Sequence, residues 1–100
     1  MFFVYILLSK VDNNFYIGFT ENIGKRLLDH NSGKVISTKH RKPFELIYYE
    51  AYCDKKDADG REKFLKSGSG HRFIKKQLSN FLAEKKGLYS SGVSREANPV

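Results

Sequence analysis

Cysteine is almost missing from this sequence. Cys53 is the one thiol in 100 residues. A single cysteine excludes an internal disulfide and any zinc site built from several cysteines, and it points to a reducing compartment, the cytoplasm. Long apolar runs are missing too, since none approaches the roughly 18–20 residues of a membrane-spanning helix. The apolar start is expected not to be a secretory signal: no basic segment precedes it, and Tyr16-Ile17-Gly18 follows where a cleavage site would lie. Acidic residues are the scarcer charge, 11 against 18 Lys and Arg, for a formal net charge of +7. A small domain this basic suits a polyanion, most often nucleic acid; the competing explanation is solubility alone. No internal repeat is visible, and no second domain is expected. One domain over residues 1–86 is expected, with one modest core, followed by a flexible tail over 87–100 that is rich in Ser and Gly.

Two apolar runs, Phe2 to Leu8 and Phe15 to Phe19, flank the polar turn Asp12-Asn13-Asn14. Aromatic and β-branched residues around an Asp/Asn turn read as a β-hairpin. With the turn centred on Asp12-Asn13, Tyr5 pairs with Thr20 and Tyr16 with Ser9. Side chains alternate across a strand, so Tyr5, Leu7 and Ser9 share a face with Tyr16, Gly18 and Thr20, and a two-residue shift would leave the faces unchanged. The other face carries Val4, Ile6, Leu8, Phe15, Ile17 and Phe19 and is expected to be the core face. The tyrosine face is where chemistry is expected.

Thr20-Glu21-Asn22 offers a helix start, Ile23, Leu27 and Leu28 an apolar stripe, and Asn31-Ser32-Gly33 a stop. Gly24 inside that helix costs about 1 kcal/mol against alanine, so packing must support it. Arg26 and His30, four apart, stand one turn above each other at the edge of the stripe. The loop from Gly33 to Lys42 carries Lys34, Lys39, His40, Arg41 and Lys42. Phe44 to Cys53 reads as a third strand whose near-continuous apolar content suggests cover on both faces. Asp54 can cap a helix over Lys55 to Lys66, in which Ala58, Arg61, Glu62 and Leu65 share a face. An inward Glu62 is costly unless paired, protonated or bound to metal, Arg26 and Arg61 being the candidate partners. Ser67-Gly68-Ser69-Gly70 breaks the pattern before one last helix. Its stripe is Phe73, Ile74, Leu78, Phe81 and Leu82. The order is β-β-α-β-α-α: an α+β fold with a small antiparallel or mixed three-stranded sheet and about three helices.

Val4-Tyr5-Ile6 and Tyr16-Ile17-Gly18 resemble the two signatures of the GIY-YIG nuclease domain, known from a DNA-repair excinuclease, homing endonucleases and small single-domain bacterial proteins. The spacing to Arg26 and to His30-Asn31-Ser32-Gly33 also matches, and Ala58-Asp59-Gly60-Arg61-Glu62-Lys63 resembles the family's helix with its metal-ligand glutamate. The resemblance covers about residues 1 to 83 and is closest to the single-domain members. It implies hydrolysis of DNA phosphodiester bonds with one divalent cation, Mg²⁺ or Mn²⁺, in repair or recombination, acting on branched, damaged or single-stranded sites. Glu62 is then the metal ligand, a hard oxygen suited to Mg²⁺. Arg26 offers a fork to the phosphate. Tyr5 or Tyr16 removes a proton from the attacking water, and His30 shuttles a proton or holds the nucleophile.

Free phenol titrates near 10, so a base role needs a neighbouring cation. Some members carry a basic residue where this chain has Phe19, so that cation must come from elsewhere. Gly18 is expected to leave room for substrate. Lys34, Thr38, Lys39, His40, Arg41 and Lys42 are candidates for a substrate-contacting rim that binds phosphate without reading sequence. Asn80 is a further candidate because many members carry a functional asparagine after the glutamate helix. The rival reading is a catalytically weak or inactive module of the same fold that holds nucleic acid or a partner complex.

Overall fold

The computed structural model describes residues 1–89. The chain divides into two compact units, Met1–Lys66 and a second that begins at Ser67. Among the described residues, the first unit contains strands β1 (Phe2–Ser9), β2 (Phe15–Thr20) and β3 (Phe44–Tyr52) and helices α1 (Ile23–Asn31) and α2 (Lys55–Lys66). The second contains α3 (Gly68–Gln77) and α4 (Ser79–Tyr89), packed on each other. The sheet is three-stranded in the order β2-β1-β3. Both pairings are antiparallel, so the sheet is not mixed and the fold is α+β. No helix among the described residues is long and apolar enough to cross a membrane.

The hairpin forms where the sequence places it. Its register is two residues from the pairing centred on Asp12-Asn13: Tyr5 lies opposite Gly18 and Leu7 opposite Tyr16. The faces survive, as an even shift requires. The turn is built around Ser9, whose Oγ donates to the Arg41 carbonyl at 2.6 Å and accepts from the Val11 N–H at 3.1 Å. Asn13 takes the left-handed conformation (φ 59°), which Asn tolerates better than bulkier residues.

Two expectations about burial are corrected. The hairpin does not have one core face and one chemical face. β1 is the central strand, and Val4 to Ser9 are buried on both sides of it. Leu27 of α1 packs against Tyr5, Leu7 and Phe44 on one side. On the other side α2 sits on the sheet, with Lys55 Nζ 5.4 Å above the Phe19 ring and Arg61 bonded to Glu50. The tyrosine face is therefore core as well. Conversely, β3 is an edge strand, and Tyr49 and Ala51 are exposed rather than covered on both faces. An apolar run alone does not tell a central strand from a sticky edge.

Caps set the helix limits. The Asn22 side chain accepts from the Lys25 N–H at 3.1 Å, and Gly33 (φ 81°) follows the end of α1. Asp54 Oδ1 accepts from the Lys56 N–H at 2.8 Å at the start of α2. Arg61 forks onto Glu50 at 2.8 and 2.9 Å, and Glu50 also accepts from the Tyr48 and Tyr52 hydroxyls. That network ties α2 to β3 and fixes the rotation of α2. In the second unit, Ser67 caps α3 through the Gly70 N–H at 3.1 Å, so Gly68-Ser69-Gly70 lie inside the helix. The single last helix expected from the stripe is two, because Leu78 departs from helical geometry (φ −104°, ψ 24°). Gly87 to Tyr89 belong to α4, and the rest of the expected tail lies outside the described residues.

Candidate active site

The site is built on Tyr5. Its strand is central, so its ring crosses neighbouring β2 at Gly18. A Cβ on Gly18 would overlap the phenol, 2.9 Å from Cε2. The bare glycine thus seats the Tyr5 ring, and the space is not left for substrate as expected. The hydroxyl lies 3.0 Å from His30 Nε2 of α1. Tyr16 completes an aromatic cluster, with ring centroids 6.3 Å from Tyr5 and 4.8 Å from His30.

Arg26 stands one turn before His30 on α1, and its guanidinium lies beside the Tyr5 and Tyr16 hydroxyls, which hold its cationic form more firmly. Burial pushes the Tyr5 phenol up to about 12; Arg26 works against that shift, while Tyr16 and Glu62 add to it. Burial, then the Arg26 charge, lowers the His30 imidazole below its usual value. The buried pair is therefore a neutral phenol and a neutral imidazole at neutral pH.

His30 is fully buried, and its second nitrogen, Nδ1, lies 2.9 Å from Thr38 Oγ1. The residue after it, Asn31, clamps the backbone of Phe44: its amide donates to the Phe44 carbonyl at 3.0 Å and its oxygen accepts from the Phe44 N–H at 2.6 Å. The end of α1 is thereby tied to the start of β3.

Glu62 lies on the buried face of α2, between Ala58 and Leu65, both fully buried. Its own side chain is 21% exposed and pairs with Lys66 at 2.9 Å. Lys66 is the next turn of the same helix, while Arg61 forks onto Glu50. No group of three or more His, Cys, Asp or Glu among the described residues could hold a metal. One half-buried carboxylate with water and substrate oxygens completing the sphere fits Mg²⁺, which dehydrates reluctantly and needs no protein cage.

The sequence model of the GIY-YIG catalytic domain matches residues 1–77. This chain belongs to the GIY-YIG family. It is similar to the UPF0213 protein of Staphylococcus haemolyticus, 39% identical over 73% of this chain and 89% of that one. It is likewise similar to the UPF0213 protein of Lacticaseibacillus paracasei, 39% identical over 71% of this chain and 80% of that one. The UPF0213 protein YazA of Bacillus subtilis is 34% identical over 84% of this chain and 80% of that protein. No solved structure matches the chain.

Within this GIY-YIG chain, Tyr5, Tyr16 and His30 lie together, with Arg26 one turn before His30 on α1 and Glu62 on the buried face of α2. The rim divides. Lys34, Lys39, His40 and Lys42 are exposed and free to face a polyanion. Thr38 is 2% exposed and turned inward onto His30, so it is not on a substrate-facing surface. Arg41 is spent on the hairpin: it pairs with Asp12 at 2.7 Å, donates to the Phe15 carbonyl and lies over the Phe44 ring. Arg41 holds the Asp12 carboxyl down at about 2. Asn80 is on α4, in the other unit. Asn31, Thr38 as a His30 partner, and Ser9 as the turn hub were not found from sequence. Their partners are 8 to 32 residues away along the chain, and no periodicity marks them.

The His30 environment has a consequence for stability. Tyr5, Tyr16, Phe44 and Thr38 surround the ring, burial and Arg26 oppose its protonation, and Asp29 works the other way. The unfolded chain takes up this proton near pH 6.5, whereas the fold resists it. The stability His30 contributes is therefore full above about 6.5 and lost as pH falls below it. Thermal melts are expected to show Tm falling on acidification through this range, with a shallower slope in His30→Gln. An equal slope in the variant would refute the assignment.

Proposed function

We propose that the protein is a divalent-metal-dependent endonuclease that hydrolyses DNA phosphodiester bonds, in repair or recombination, at branched, damaged or single-stranded sites. One observation carries the reading: the Tyr5 phenol lies 3.0 Å from the His30 imidazole, with Tyr16 beside both rings and Arg26 one helical turn before His30. Membership of the GIY-YIG family supports it.

Glu62 is the residue that would hold the cation, which supplies polarisation of the phosphate and stabilisation of the leaving oxygen. Arg26 offers its fork to the phosphate, where charge builds in the transition state. It also provides the cation that position 19 lacks. A phenol at about 12 is not ionised at neutral pH, so Tyr5 works as a relay and not as a standing phenolate. It accepts a proton from the attacking water as its own passes to His30 Nε2. The water's O–H and the Tyr5 O–H break, and a new O–H and an Nε2–H form. Half-buried Tyr16 orients the water. Lys34, Lys39, His40 and Lys42 hold flanking phosphates.

The alternative, a binding module without turnover, draws on the Lys66 ammonium already seated on Glu62. The test is incubation of purified protein with plasmid and branched DNA in Mg²⁺ or Mn²⁺, with a chelator control. Cleavage that the chelator abolishes supports the nuclease. Tight, salt-sensitive binding without cleavage on any substrate supports the module.

A further inference from the structure

Thr38 lies in the basic loop, yet it faces the core. Its N–H and its hydroxyl both point at the Val35 carbonyl, at 3.1 and 3.3 Å, and its Oγ1 also meets His30 Nδ1 at 2.9 Å. We propose that Thr38 is a positioning residue that holds His30 in the Nδ1–H tautomer, so that Nε2 is bare and faces the Tyr5 hydroxyl. The proposal rests on the nuclease reading for its catalytic consequence but not for its structural one.

The Val35 carbonyl supplies a direction. A carbonyl can only accept, so a Thr38 hydroxyl that donates to Val35 has its oxygen left to accept from Nδ1–H. At the other end the Tyr5 hydroxyl lies 3.0 Å from His30 Nε2, which receives the phenolic proton when that nitrogen is bare. The proposed order runs from Tyr5 to His30 to Thr38 to the Val35 carbonyl, each group donating to the next. The opposite tautomer would aim Nε2–H at the Tyr5 oxygen and draw the Thr38 hydroxyl proton onto Nδ1, away from Val35. That arrangement gives up the hydroxyl's bond to Val35 and turns the phenolic proton away from the imidazole, and lost polar partners are costly in a buried site. The chosen tautomer is also the one the relay needs: Nε2 must hold a lone pair to receive the Tyr5 proton, and the Nδ1–H bond to Thr38 steadies the imidazolium that results.

Ring ¹⁵N–¹H correlation spectra of the full-length protein at pH above 7 test this directly. The wild type is expected to show His30 protonated at Nδ1 and bare at Nε2. Thr38→Val, nearly the same shape without the hydroxyl, is expected to lose that preference and to slow DNA cleavage by about 10²-fold, the low end of general acid–base contributions. Thr38→Ser is expected to restore the tautomer and to cut within about threefold of wild type. A wild-type ring protonated at Nε2 overturns the proposal, as does a Thr38→Val protein that keeps the wild-type tautomer. Should Thr38→Val fail to fold, the wild-type and Thr38→Ser spectra decide. A wild type that has the Nδ1–H tautomer but cuts no DNA overturns the nuclease reading and leaves the Thr38 assignment standing.

Discussion

Glu62→Gln protein is expected to fold like wild type and to cut DNA about 10³-fold more slowly or not at all, a loss of about 4 kcal/mol or more in transition-state stabilisation. The two halves of this expectation have separate causes. The pair that Glu62 makes with Lys66 is an i,i+4 contact to a lysine that is 55% exposed. Such pairs are worth roughly 0.3–0.5 kcal/mol, so Tm should hardly move. Glutamine keeps the shape and loses the charge, which is what a hard divalent cation requires. The measurements are initial cleavage rates across a metal titration, with thermal melts alongside. A Glu62→Gln protein that cuts at wild-type rates at every metal concentration would remove Glu62 from the mechanism.

Gly18→Ala is expected to damage both stability and activity. The new methyl would lie inside the van der Waals shell of the Tyr5 phenol, and Tyr5 is 2% exposed with no room to retreat. Overpacking of a filled core costs typically about 1–3 kcal/mol. The displaced hydroxyl would also leave His30 Nε2, so cleavage should fall with stability and not recover on cooling. Denaturant melts of the single and double variants separate this cause from a general glycine effect. In a Tyr5→Leu background the same Gly18→Ala change should cost far less, giving a coupling energy between the two sites. Equal costs in both backgrounds would show that Gly18 is needed for something other than seating Tyr5.

The sequence disclosed local order well and distant order poorly. The limits of α1 and α2 follow from Asn22, Gly33 and Asp54, because capping is settled within three or four residues. The hairpin faces were legible although its register was not, since strand periodicity is insensitive to an even slip. Which strand is central was not legible: β1 and β3 are both apolar runs, and only pairing on both edges buries β1. The break at Leu78 carries neither Gly nor Pro, so the stripe runs through it unmarked. Motif and spacing singled out Tyr5, Tyr16, Arg26, His30 and Glu62 as candidates, and the fold brings Tyr5, Tyr16 and His30 together. The inward turn of Thr38 and the capture of Arg41 by Asp12 depend on how the loop folds back, which charge alone does not encode.

In the proposed mechanism, groups from β1, β2, α1 and α2 act on one phosphate. A crystal structure of the protein with Mn²⁺ and a short, uncleavable DNA strand tests that convergence most directly. The expected result is an anomalous Mn²⁺ peak on the Glu62 carboxylate, with Lys66 displaced and a phosphate lying between that ion and Arg26, facing the Tyr5 and Tyr16 hydroxyls. A Mn²⁺ peak away from Glu62, or DNA bound with no phosphate at Arg26, would contradict it.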